Sequence, residues 1–180
     1  MKKAELRFTG SGGQGVILAT IIIAEAAYED KLQAVQCQSY GPEARGGMCK
    51  AECIINDKPI AYTKIILPNL LLCLTQESFD KYCKELQREA VIVVDSEIEV
   101  PQQIKDRYKV VSIPIIESAN EVIKNPMSAN IISVGAVNEI VKVASQETLE
   151  RIVADHVPKG TEEVNIRALN LGVELVRKAL

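Results

Sequence analysis

The feature that most narrows the fold of this chain is a glycine-rich turn set between two apolar elements. Lys3 to Phe8 reads as a short strand with Leu6 and Phe8 on one face. Gly10-Ser11-Gly12-Gly13-Gln14-Gly15 follows as a turn, and Val16 to Tyr28 reads as a helix. That helix is apolar nearly all round, so other elements should cover most of its sides. A strand that passes through glycines into a buried helix is the opening of an α/β unit.

The turn carries Gly-x-Gly-x-x-Gly at Gly10, Gly12 and Gly15, in the strand-to-helix context of a dinucleotide fingerprint. Glycines let the backbone bend tightly and approach a ligand, and free N–H groups at a helix start favour an anion. The rest of that fingerprint is missing. An acidic residue after the second strand would hold a ribose, but the second strand ends in Gln36-Cys37-Gln38-Ser39, and Glu29 and Asp30 come before it. A triphosphate loop would need Lys followed by Ser or Thr, and Gln14-Gly15-Val16 offers neither. Three readings stay open for the six residues: a structural or interface turn, a seat for a phosphate-bearing ligand, and a dinucleotide site.

A second loop is more distinctive: Ser39-Tyr40-Gly41-Pro42-Glu43-Ala44-Arg45-Gly46-Gly47. Loops after neighbouring strands gather at one edge of a doubly wound sheet, which places this one near Gly10–Gly15. Gly41-Pro42 and Gly46-Gly47 bend the backbone sharply. Arg45 has the fork geometry to clamp a phosphate or carboxylate. Glu43 can orient Arg45 or meet a partner's cation, and Tyr40 can stack or donate a hydrogen bond. A rigid turn holding a local Glu43–Arg45 pair explains the same residues without a ligand.

Along the rest of the chain, Leu32 to Gln38 and Met48 to Ile55 read as strands, the latter with Cys49, Ala51, Cys53 and Ile55 on one face and Lys50 and Glu52 on the other. Asn56-Asp57-Lys58-Pro59 is a turn, after which Ile60 to Tyr62 would pair back as a hairpin. Leu70 to Leu74 and Val91 to Val94 are short apolar runs of the buried parallel kind, and Tyr108 to Ile113 is a further strand stopped by Pro114. Glu77 to Arg88 reads as a polar helix. The last third is helical: Glu117 to Lys124, an amphipathic Ala129 to Ala144, Gln146 to Asp155, and Glu162 to Lys178. The expectation is one α/β domain over residues 1–180. It should be a three-layer, mostly parallel doubly wound sheet with a β-hairpin extension and a helical C-terminal part.

Composition excludes several functions. The net charge is −3, aromatics are only 4% and Trp is absent, so the basic face and stacking rings of a nucleic-acid binder are missing. No apolar run approaches the ~20 residues of a bilayer span, and the start shows no signal-peptide core. These point to a cytoplasmic protein without membrane contact. The slightly positive mean hydropathy of +0.07 hints at apolar surface kept for a partner. The five cysteines, Cys37, Cys49, Cys53, Cys73 and Cys83, are odd in number and read as reduced, mostly buried thiols.

Several single residues invite a role and have a plainer explanation. His156, the only histidine, has no evident nucleophile beside it in sequence. Asp95 ends a strand and suits a turn or cap. Asn125, Asn130 and Asn138 read as caps or interface polar groups, and Met127 as core packing unless it fills a partner's pocket.

Taken together, GSGGQGV at Gly10–Val16, AEAA at Ala24–Ala27 and SYGPEARGG at Ser39–Gly47 resemble the gamma subunit of 2-oxoacid:ferredoxin oxidoreductases. Asn125-Pro126-Met127 and the helix from Ile131 to Val143 are similar as well, so the resemblance spans essentially the whole chain. The form of the second loop looks more like the 2-oxoglutarate branch than the pyruvate branch. The resemblance implies a complex in which other subunits decarboxylate a 2-oxoacid on thiamine diphosphate with magnesium. Electrons leave through [4Fe–4S] clusters to ferredoxin, and the acyl group passes to coenzyme A. It implies alpha, beta and ferredoxin-like delta subunits as partners, no catalytic residue and no metal in this chain, and two loops that meet either coenzyme A or the partner chains. The residues agree: no Gly-Asp-Gly thiamine motif occurs, and no Cys-x-x-Cys of cluster type is present.

Overall fold

A computed structural model describes residues 3–38 and 47–180. Six strands form one sheet: β1 (Lys3–Ser11), β2 (Gln33–Gln38), β3 (Met48–Asn56), β4 (Leu70–Cys73), β5 (Val91–Asp95) and β6 (Lys109–Ile113), in the order β2-β3-β1-β4-β5-β6. β1, β4, β5 and β6 pair in parallel. β3 is antiparallel to both β1 and β2, so it runs against the other five strands. The mostly parallel sheet read from the sequence is thus a mixed one with a single reversed strand.

That reversed strand corrects one expectation. Ile60 to Tyr62 form no strand, because β3 is already flanked by β1 and β2 and has no free edge to offer. The antiparallel ribbon is β2–β3 instead, joined through the second loop. The segment after β3 crosses the sheet face as coil. There Tyr62 Oη donates to Glu5 Oε1 at 2.7 Å, and Cys37 Sγ donates to the Thr63 carbonyl at 3.1 Å.

Helices cover both faces, unequally. Ala4, Leu6 and Phe8 of β1, Cys53 and Ile55 of β3, and Leu70 and Leu72 of β4 point into the larger core. It is closed by α1 (Val16–Glu29) and by three C-terminal helices labelled below. On the opposite face Leu71, Cys73, Ile92 and Val94 pack with Phe79 of α2 (Gln76–Tyr82) and with Tyr108, which follows the six-residue α3 (Gln102–Arg107). α2 is shorter than the polar helix expected to Arg88. The Gln87 N–H is bonded to the Pro68 carbonyl and the Gln87 amide to Leu67 and Glu5, which holds this stretch out of helical geometry.

The expected helix at Glu117 to Lys124 begins earlier, as α4 (Ile115–Glu117), and widens into a π turn at Ser118–Val122. A short 3-10 turn at Pro126–Ser128 leads into α5 (Ala129–Val141), followed by α6 (Gln146–His156) and α7 (Glu162–Ala179). α5 is not the amphipathic helix expected. Every residue from Ala129 to Asn138 is buried, because α1 and α7 both pack on it. Two glycines make that approach possible. A Cβ on Gly135 of α5 would sit 2.0 Å from the Leu169 carbonyl of α7, and one on Gly172 of α7 would sit 2.0 Å from the Ile132 carbonyl of α5. The backbones touch where no larger residue fits.

Candidate functional site at the glycine turn

The connection leaving β1 leads to one side of the sheet, to β2 and β3, while β4 lies on the other side of β1. The C-terminal ends of β1 and β4 therefore flank a topological switch point, where α/β sheets open a crevice for ligands. The glycine turn stands at that point. Leu74 N–H donates to the Thr9 carbonyl at 3.0 Å, and Thr9 Oγ1 donates to the Leu72 carbonyl at 2.7 Å, which ties the two strand ends together.

The turn is held by its own glutamine. Ser11 N–H donates to Gln14 Oε1 at 2.7 Å, and a Cβ on Gly10 would lie 2.4 Å from that same oxygen. Gly13 and Gly15 have φ of 92° and 70°, in the left-handed region that side chains disfavour. Gly15 is the N-cap of α1, which has no side-chain cap among the described residues and no acidic residue in its first turn. The first amides of α1 are left with their hydrogens directed out of the helix end.

The last residue of the second loop lies beside the glycine turn, where β3 begins opposite the end of β1. Gly12 N–H donates to the Gly47 carbonyl at 2.9 Å. Gly47 is the one candidate of the second loop inside the described residues. Tyr40, Gly41, Pro42, Glu43, Arg45 and Gly46 lie outside them.

Asn130 joins the site from α5, and its place there could not be read from the sequence, which offered it only as a cap or interface group. A Cβ on Gly15 would fall 2.6 Å from Asn130 Nδ2, so the amide rests directly on the turn. Beyond it opens a cavity of about 260 Å³, walled by Leu18, Met127, Ile131, Pro158 and His156 among others. Met127, expected in the core, is 68% exposed at its rim. His156 Nδ1 lies 2.9 Å from the Ile152 carbonyl and Nε2 lies 3.1 Å from Glu25 Oε2. The remaining candidates act locally. Asp95 accepts the Glu97 and Ile116 N–H groups, Asn125 accepts the Met127 N–H, and Asn138 accepts those of Val143 and Ala144.

Chemically, this edge offers hydrogen-bond donors and an apolar alcove. Among the described residues no group of three or more His, Cys, Asp or Glu side chains is arranged to hold a metal ion, and no helix is long and apolar enough to cross a membrane. Burial pushes the thiols of Cys53 and Cys73 up to about 12, so both stay protonated and poor as ligands or nucleophiles near neutral pH.

Residues 5–175 match the family described as pyruvate ferredoxin/flavodoxin oxidoreductase. Among curated proteins, the chain is 42% identical to the 2-oxoglutarate synthase subunit KorC of Methanocaldococcus jannaschii, over 98% of this chain and 95% of that one. Among solved structures, it is similar to the gamma subunit of a keto/oxoacid ferredoxin oxidoreductase from Geobacter sulfurreducens. The TM-score is 0.88 and the identity 40%, covering 99% of each chain. The fold recurs, at 20% identity and a TM-score of 0.90, in the 2-oxoglutarate:ferredoxin oxidoreductase of Magnetococcus marinus, solved with 2-oxoglutarate, coenzyme A and succinyl-CoA. There it matches all of this chain but only 32% of the longer one.

Proposed function

Because the chain belongs to the pyruvate ferredoxin/flavodoxin oxidoreductase family, we propose that it is the gamma subunit of a multi-subunit 2-oxoglutarate:ferredoxin oxidoreductase. The complex converts the 2-oxoacid to its acyl-CoA and passes the electrons to ferredoxin. The observation that carries this reading is the near end-to-end match, at 42% identity, to a 2-oxoglutarate synthase subunit of almost the same length.

The division of labour follows from the chemistry of the chain. Decarboxylation needs an electron sink, and electron transfer needs a redox centre. Alpha, beta and ferredoxin-like delta subunits supply these as thiamine diphosphate with magnesium and [4Fe–4S] clusters. This chain supplies a shaped edge: Gly10, Ser11, Gly12, Gly13, Gln14 and Gly15 beside Tyr40, Gly41, Pro42, Glu43, Arg45, Gly46 and Gly47. The edge faces the catalytic subunits and the end of the complex where coenzyme A is used. The left-handed φ of Gly13 and Gly15 and the Gly12–Gly47 hydrogen bond support its being one surface.

Co-expression of the chain with its partner subunits, followed by size-exclusion chromatography and kinetics, tests the reading. Arg45→Ala should leave the melting temperature of the isolated chain unchanged while weakening co-elution or raising the coenzyme A requirement. Failure of the wild-type chain to co-elute, or unaltered steady-state kinetics of the reassembled Arg45→Ala complex, contradicts it.

A further inference from the structure

On the side of the sheet away from α1, α2 packs on β1 and β4, and its last residue, Tyr82, reaches Lys50 of β3. From there to β2 the roof is the segment between β3 and β4. It is pinned from below. Cys37 Sγ donates to the Thr63 carbonyl, Arg7 Nη2 to those of Ile65 and Ile66, and Gln87 Nε2 to that of Leu67. Ile65 is turned inward at 3% exposure, while Ile66 is 77% exposed, Leu67 43% and Tyr62 42%. The outward residues belong to one place. Tyr62 Oη and Gln87 Nε2 bond the two oxygens of Glu5, and the same Gln87 nitrogen holds the Leu67 carbonyl.

Two further observations set this roof apart from an ordinary loop. The main-chain amides of residues 60–67 donate no hydrogen bond among the described residues. Open amides beside large apolar side chains turned to water mark a surface kept for another protein. The charges say what kind. In the roof and the strands beneath it, Lys3, Arg7, Lys50, Lys58 and Lys64 face Glu5, Glu52 and Asp57, five cations against three carboxylates. Glu5 and Glu52 are buried, whereas Lys3, Lys58 and Lys64 are exposed, and Lys58 and Lys64 form no ion pair among the described residues. The neighbouring turn is balanced, with Lys84 and Arg88 against Glu85 and Glu89. The face is thus positive on a chain whose net charge is −3. Two copies meeting through it would set lysines against lysines, so its occupant is a different chain of opposite sign.

We infer that Tyr62, Ile66 and Leu67, with Lys3, Lys58 and Lys64 beside them, form a docking surface for a catalytic subunit, on a patch of that subunit with an apolar centre and an acidic rim. The inference rests on reading the chain as a gamma subunit. It adds a second contact area, on the sheet face away from α1 and apart from the glycine edge. Ile66 is the anchor, since its side chain is free to enter a pocket while its carbonyl stays tied to Arg7. The lysines steer the approach and fix the orientation.

The test uses the full chain and its co-expressed partner subunits. Ile66→Glu puts a carboxylate at the centre of the patch, and because the side chain is exposed the melting temperature of the chain should not change. Affinity for the partner subunits should fall by about tenfold or more, and by less in Ile66→Ala. Wild-type affinity should fall with added salt, and Lys64→Glu should weaken it with a shallower salt dependence. Hydrogen exchange on the wild type needs no variant. The amides of residues 60–67 should exchange rapidly in the free chain and slow by about tenfold or more in the complex. Sedimentation of the free chain should show a monomer. Ile66→Glu binding like wild type, exchange over residues 60–67 unaltered by assembly, or affinity indifferent to salt overturns the proposal and leaves the gamma-subunit reading standing. A dimer of the free chain that Ile66→Glu dissociates assigns the patch to a second copy and overturns it too. A wild-type chain that binds no partner subunit overturns the reading and the proposal together.

Discussion

Arg7 and Glu52 stand directly opposite one another on β1 and β3, and Arg7 Nε donates to Glu52 Oε1 at 2.7 Å with both residues buried. They lie on the sheet face turned away from α1. Lys50 Nζ approaches the same carboxylate at 3.6 Å, and the Tyr82 ring lies 5.4 Å from the guanidinium. Arg7 Nη1 is buried without a partner among the described residues. An ion pair placed here contributes less to net stability than to pinning the register of β3 against β1, since a one-residue slip would bring charge into the main core.

Removing one partner should therefore cost more than removing both. Arg7→Met alone leaves Glu52, among the described residues, with Lys50 as its remaining cation and should destabilise by about 3 kcal/mol or more, whereas Arg7→Met with Glu52→Leu should recover most of the loss. Urea denaturation of the two variants checks the order. If the double variant is the less stable one, the pair is not the device described.

The contact between α5 and α7 predicts a sharper effect from a smaller change. Gly135→Ala or Gly172→Ala places a methyl carbon 2.0 Å from a backbone carbonyl oxygen of the facing helix. Backbone cannot rotate away as a side chain can, so the helices must separate and open the core around Leu169 and Ile132. The expected loss is about 3 kcal/mol or more, despite the better helix propensity of alanine. A thermal melt of either variant close to wild type would show that the helices can part at little cost.

Glu139 links the same two helices. Its Oε1 accepts from Arg177 Nε at 3.0 Å and its Oε2 from Arg177 Nη2 at 3.3 Å, and Lys142 Nζ pairs with Oε2 as well. The Arg177 hydrogen bond, with Lys142 adding to it, holds this carboxyl below the usual carboxylate range. A carboxyl depressed in the folded state contributes stability above its unfolded pKa and loses it as pH falls through the folded one. Glu139→Gln should thus be less stable than wild type at neutral pH, by about 1 kcal/mol or less because the partners are solvent-exposed. The two should converge in acid, below the ordinary Glu range. Denaturation midpoints across that pH range measure the difference, and a gap that stays constant would contradict the linkage.

Much of this fold is legible in the order of the residues alone. The strand–glycine–helix opening needs only local physics. Apolar alternation sets the faces of Leu6 and Phe8, and the glycines at Gly13 and Gly15 mark left-handed positions that the structure fills with φ of 92° and 70°. Cys53 and Lys50 fall on opposite faces of β3 as a period of two requires. What escaped were consequences of tertiary packing. No local signal says that β3 is sandwiched and cannot pair with Ile60 to Tyr62. Nor does any say that Gly135 and Gly172 bring α5 and α7 into backbone contact and bury every side of α5. Asn130 is 115 residues from Gly15 in the chain, and only the crossing of α5 with α1 brings its amide onto the turn.

The most direct measurement is the rate of ferredoxin reduction by the reconstituted complex, supplied with 2-oxoglutarate and coenzyme A, with and without this chain. If it is an obligate gamma subunit, omitting it abolishes turnover, adding it back restores turnover, and the chain alone shows none. An undiminished rate in its absence, or turnover by the purified chain unaided, would contradict the account.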